Sequence, residues 1–196
     1  MSIKEELAII ISLLFSAPVY AFFLLLLILT ETAYSSSTLL IVGILGFLFL
    51  SVLPIAPVIY AAYKKETDLF VEEREQRPKF FFFAIISYLA GFIIFLSIGE
   101  RILALFHLCY AVVTASLALA TFFAKVSVHA AGVAGPTTFM VLVFGYEHLL
   151  LFLLLIPVAW ARIYLKAHSI NQSILGAIIA IGVTWLTITV FDPIIL

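Results

Sequence analysis

Charge is scarce in this chain. Lys, Arg, Asp and Glu make up 11% of its 196 residues against 65% apolar types, with a mean hydropathy of +1.29. A water-soluble domain carries about 25% charged residues, so too little charge is present to cover a water-facing surface. That shortage excludes a soluble enzyme, a disordered tail and a nucleic-acid binder, and it predicts a chain solvated by lipid. Cysteine occurs once, at Cys109, which excludes an intrachain disulfide and a cysteine-built metal site. Aspartate occurs only at positions 68 and 192, too few for the paired carboxylate motifs that hold magnesium.

Long apolar runs are abundant instead. A bilayer core about 30 Å thick takes about 20 apolar residues per helical crossing, and lipid offers no partner to an unpaired backbone group. The runs predict an all-α fold, a polytopic membrane helix bundle of six or seven transmembrane helices. The whole chain, 1–196, reads as one transmembrane domain with spans near 7–30, 38–63, 80–98, 102–124, 127–144, 149–166 and 174–191. Lys4-Glu5-Glu6 is too acidic, and the run after it too long, for a cleaved signal peptide. Pro54 and Pro57 are expected to kink the second span.

Seven crossings sort the polar segments onto two faces. Lys4, Lys64, Lys65, Arg74, Arg77, Lys79, Lys125, Arg162 and Lys166 fall on one face and Arg101 alone on the other, nine against one. The positive-inside rule places the nine, with the N-terminus, in the cytoplasm. An anion site would bias the count the same way, but without Arg74, Arg77, Lys125 and Arg162 the split is still five against one.

Three clusters meet on the basic face. Asp68-Leu-Phe-Val-Glu-Glu-Arg74-Glu-Gln-Arg77-Pro78 reads as a solvated loop with mutually paired charges, or as two guanidinium groups held at the membrane surface. Lys125-Val-Ser127-Val-His129 puts a cation and an imidazole four apart at a helix start, where free amides favour an anion. The plain alternatives are a snorkelling lysine and a packed histidine. Arg162-Ile-Tyr-Leu-Lys-Ala-His168-Ser-Ile-Asn-Gln172 combines positive charge with a histidine and an amide four residues on, which can orient the ring. His107 reads as a packing residue and His148 falls on the opposite face, so neither belongs to the site.

Guanidinium forks, one or two lysines and two histidines, with no carboxylate pair and no metal set, suit a phosphate ester. One imidazole can attack phosphorus while the other protonates the leaving oxygen.

At these residues the chain resembles the type 2 phosphatidic acid phosphatase superfamily, over roughly residues 64–175. The family's third motif, Ser-Arg, five residues, His, three residues, Asp, is similar to Ala161-Arg162, His168 and Gln172. Its Pro-Ser-Gly-His is matched by Ser127 and His129 between valines. Its lysine, six residues, Arg-Pro is matched by Arg77-Pro78, with Phe70 at the lysine position. The resemblance implies a metal-independent membrane hydrolase that needs no cofactor. Its partners would be membrane lipids and an isoprenyl or glycerolipid phosphate or diphosphate substrate. It further implies that His168 is the nucleophile, forming a phosphohistidine, that His129 is the general acid, and that Arg77 and Arg162 bind phosphate. Gln172 would orient His168, and Arg74, Lys125 and Ser127 would complete the phosphate-binding set. An alternative of a different class is a non-catalytic protein that binds or moves an anionic lipid through the same pocket. An intramembrane prenyltransferase is disfavoured by the single, separated aspartates.

Overall fold

The structure is a computed structural model and describes residues 2–32 and 34–195. It is an all-α bundle, with no strand among the described residues. The helices are α1 (Ile3–Leu14), α2 (Ala17–Glu31), α3 (Ser36–Phe47), α4 (Leu53–Tyr63), α5 (Arg77–Ser97), α6 (Arg101–Phe123), α7 (Val128–Phe144), α8 (Leu155–Tyr164) and α9 (Ile170–Ile195). Short π and 3-10 segments, Leu48–Val52 and Tyr146–Leu154, lengthen α4 and α8 into longer rods. Five helical stretches are long and apolar enough to cross a bilayer. The bent pair α1–α2 makes a sixth if it counts as one span. The protein is therefore an integral membrane helix bundle.

The expected 7–30 span is not one straight helix. It breaks after Leu14 and restarts at Ala17 with a bend of 57°. Ser16 is extended at the N-cap of α2 and Pro18 occupies its first turn, where the missing N–H costs nothing but an unbroken upstream helix would clash with the ring. The consequence reaches the site. The Ser2 hydroxyl at the start of α1 lies 3.4 Å from the Tyr164 hydroxyl, and the Ser12 carbonyl near its end contacts His129. α1 thus lies across one end of the bundle.

The second span is bent by its prolines as expected, through a π turn ahead of Pro54. The carbonyl of Phe49 inside it takes the Ser87 hydroxyl of α5 at 2.8 Å, and the Pro18 carbonyl takes the Ser51 hydroxyl at 2.7 Å. Freed backbone groups find side-chain partners, which lipid would not supply. α5 and α6 form an antiparallel hairpin whose turn uses Gly99 at φ 81°.

α7 is the central helix. His129 to Met140 are buried without a break. Its small residues permit this. Gly132 packs on Ala17 of α2, and Gly135 on Thr184 and Ala180 of α9. At 17 residues α7 is shorter than α6 and α9, which pack on it, and its last turn, from Val141 on, leaves the buried interior.

The chain ends sort as the charge pattern does. Glu72 with Arg162, Ser127 with Gln172 and Ser2 with Tyr164 meet at one end. Tyr34 with Glu100 and Glu31 with His148 meet at the other.

Candidate functional site

The site is built at the first of these ends, where the 124–127 segment, the 165–169 loop and the starts of α7 and α9 converge. The hydroxyl of Ser127 caps α7 by accepting from the Ala130 amide at 3.3 Å. Its own amide donates to the Gln172 carbonyl at 3.1 Å. Gly176, one turn into α9, lets the two segments touch, because any Cβ there would collide with the Ser127 carbonyl. The backbone thereby fastens the His129 segment to the His168 segment, although they are separated by about forty residues in sequence.

A second fold-back sets Arg162 beside His168. The amides of Ala167 and His168 both donate to the Arg162 carbonyl, at 3.0 and 3.2 Å, with Lys166 in the left-handed region at φ 57°. This is the usual way to close a helix C-terminus, but with lysine where glycine is favoured. A non-glycine residue held there costs about 1–3 kcal/mol and clusters at functional sites.

The imidazole of His168 is oriented by Gln172, whose Oε1 lies 3.1 Å from Nδ1. The same oxygen accepts from the Ser169 amide at 3.1 Å. A backbone amide is only a donor, so it identifies this atom as the carbonyl oxygen. His168 must then carry its proton on Nδ1, leaving the lone pair of Nε2 free. His168 is buried, and that burial pushes its pKa down to about 4. The Gln172 hydrogen bond pulls upward, while the charges of Arg77, Arg162 and Lys125 push further down.

Arg162 is 1% exposed. One nitrogen, Nη2, lies 3.3 Å from Glu72 Oε1, and Phe70 covers the guanidinium face at 4.7 Å. Nε and Nη1 are buried and have no partner. A buried charged donor left unsatisfied costs about 1–3 kcal/mol or more, and an oxyanion is one kind of group that would satisfy both.

Arg77 is placed differently from a free phosphate clamp. Its Nε donates to the Val71 carbonyl at 2.9 Å and its Nη1 to the Val126 carbonyl at 3.0 Å. It therefore staples the 66–76 loop to the segment before α7. Its charge still reaches Arg162 and both histidines. His129 sits within electrostatic reach of His168, Arg162 and Arg77, and its ring meets Phe70 edge-on at 5.6 Å. Its Nε2 lies 3.1 Å from the Ser12 carbonyl, an acceptor only, which holds the ring proton there.

The remaining expected residues divide. Lys125 is half-buried and its charge acts on His168. The hydroxyl of Ser127 is buried and committed to the helix cap. Arg74 pairs with its neighbour Glu75 at 3.4 Å, because the 3-10 turn Arg74–Gln76 directs it to the half-exposed side, outside the cluster. His107 is buried in α6 against Phe95, its Nδ1 2.7 Å from the Leu103 carbonyl. His148 sits at the far end beside Glu31, at 3.7 Å. Among the described residues no three His, Cys, Asp or Glu side chains meet to hold a metal ion.

Three contributors were not legible. The Ser12 carbonyl depends on the break in the first span. Phe70 and Glu72 had signals, an aromatic in place of a basic residue and an acid in a basic stretch, but nothing in the spacing turns them inward. From Arg77, Phe70 and His129 a cavity of about 170 Å³ runs into the bundle between α5, α6 and α7, as far as Tyr88, Cys109 and Tyr110. No protein-family model, curated protein or solved structure matches this chain.

Proposed function

We propose that the protein is an integral-membrane lipid-phosphate phosphatase that hydrolyses an isoprenyl or glycerolipid phosphate or diphosphate. The observation that carries this reading is the pair of partnerless buried nitrogens on Arg162 beside a histidine whose Nε2 lone pair is free. The phosphate sits on Nε and Nη1 of Arg162 and the lipid chain enters the apolar cavity. Nε2 of His168 attacks phosphorus, the bond to the leaving oxygen breaks, and that oxygen takes a proton from His129 acting as the imidazolium, which becomes neutral and keeps one ring proton. Water then attacks the phosphohistidine and gives its proton to neutral His129, which regenerates the imidazolium and the free His168 imidazole and releases inorganic phosphate. The guanidinium groups stabilise charge that develops on the phosphoryl oxygens. The excess of basic residues at this end favours a site facing the cytoplasm.

The test is phosphate release from a panel of lipid phosphates by detergent-solubilised protein in EDTA. Release by the wild type and its loss in His168→Ala are expected. Undiminished release by the variant rejects the assignment.

One observation favours a second reading, a binder or carrier of anionic lipid without catalysis. The His129 proton is committed to Ser12, and the partner of His168 is a neutral amide rather than a carboxylate. That reading predicts saturable phospholipid binding with no phosphate release at any pH.

A further inference from the structure

The 66–76 loop contributes two residues that a site for a highly charged headgroup would not want. Asp68 receives the amides of Phe70 and Glu72 at 2.7 and 3.0 Å, and Arg77 holds the Val71 carbonyl at 2.9 Å. Val71 itself is buried at φ 47°. The loop is therefore fastened from both sides, and the fastening turns Phe70 and Glu72 onto Arg162. The Arg162 guanidinium carbon lies over the Phe70 ring at 4.7 Å and the ring meets His129 edge-on at 5.6 Å, so Phe70 contacts two residues of the site. Glu72, 46% exposed, adds a carboxylate on Nη2 while leaving the buried Nε and Nη1 without a partner, so a ligand on those two nitrogens need not displace it.

We infer that Phe70 and Glu72 restrict the anion seat to a single phosphoryl group, making the protein selective for lipid monophosphates over diphosphates. The inference rests on the reading of Arg162 as the phosphate-binding residue and narrows it. Two effects act together. A second phosphoryl group brings added negative charge and needs a cation of its own, but Phe70, against both Arg162 and His129, supplies none. Glu72 repels each extra unit of ligand charge in proportion to that charge. Glu72 is half-exposed, and at an effective dielectric of about 40, between the surface and bulk-water limits, and a separation of about 6 Å, this is on the order of tenfold per unit of charge. Selectivity follows because the penalty differs between the two ligands, whereas a simple competing anion would weaken both alike.

The test compares two probes that cannot be hydrolysed, octylphosphonate and octyl methylenediphosphonate, by calorimetric binding to the full-length protein in detergent. Wild type is expected to bind the monophosphonate about tenfold tighter. Glu72→Gln should tighten the diphosphonate about tenfold more than it tightens the monophosphonate, and Phe70→Lys should bring the two probes to near parity. Both side chains sit on a loop at the membrane surface, and matching elution profiles would establish that the variants fold. Equal gains for both probes in Glu72→Gln, or a wild-type preference for the diphosphonate, overturns the inference while leaving Arg162 as the seat. Binding of neither probe by wild type, or full binding by Arg162→Gln, removes the phosphate-site reading and the inference with it.

Discussion

A single amide atom decides how His168 behaves. In the triad of a serine protease, exchanging the orienting aspartate for asparagine costs about 10⁴ in rate, largely because the ring is held in the wrong tautomer. Gln172 avoids that fault, since the Ser169 amide turns its carbonyl oxygen toward Nδ1. Only the negative charge is missing. Gln172→Leu should therefore lower phosphate release by about 10²–10⁴, with protein yield and elution unchanged. The low pKa sets the acid limb. His168 stays neutral down to about pH 4 in the free protein, where an ordinary imidazole protonates near 6.5. Its proton-free form is thus retained across the range from 6.5 to 4, and kcat/KM measured against pH should hold until well below 6. Lys125→Gln removes a positive neighbour and should move the acid limb upward. The sign for stability is the same. The unfolded chain binds the proton first, so the contribution of His168 is present above about 6.5 and is lost as pH falls toward 4.

The helices carry these residues to one place through contacts that only small side chains permit. Gly176 against the Ser127 backbone is the one that joins the two halves of the site. Gly176→Ala should force α9 from the N-cap of α7, destabilising the protein by about 1–3 kcal/mol. Thermal unfolding monitored by tryptophan fluorescence, together with loss of phosphate release, checks this. An alanine variant of full activity and wild-type stability would show that the two segments are not joined there. Most helix positions follow directly from apolar run length, because lipid leaves a long apolar run almost no alternative to a helix. The pairing of His168 with Gln172 was equally readable, since a spacing of four residues keeps two side chains on one side of a helical turn. The bend after Leu14 was not, because Pro18 is compatible with either a kink or a fresh start. The left-handed Lys166 closes a helix end where glycine would be the usual signal, and the inward turn of Phe70 and Glu72 depends on contacts distant in sequence.

At the scale of the molecule, the bundle joins a wet, charged end to an apolar interior. Arg77, Phe70 and His129 line the cavity's charged end, and its walls are supplied by α2, α4, α5, α6 and α7, with Arg162 and His168 outside the lining. In the proposed reading the lipid chain lies in this space, so chain length should be read by residues remote from the phosphate. Ala84, on the cavity wall, offers a way to shorten it. Ala84→Phe should raise KM for a long-chain lipid phosphate about tenfold while leaving a short water-soluble phosphate ester unaffected. Equal losses on both esters would mean that the cavity does not hold the chain.

The most direct measurement is the site and isomer of the covalent intermediate. Protein mixed with a lipid phosphate, quenched in base and analysed by mass spectrometry and phosphorus NMR should carry phosphate on His168 at Nε2, because Gln172 occupies Nδ1. Turnover accompanied by phosphate on another residue, by the Nδ1 isomer, or by no phosphorylated histidine at all would contradict the account.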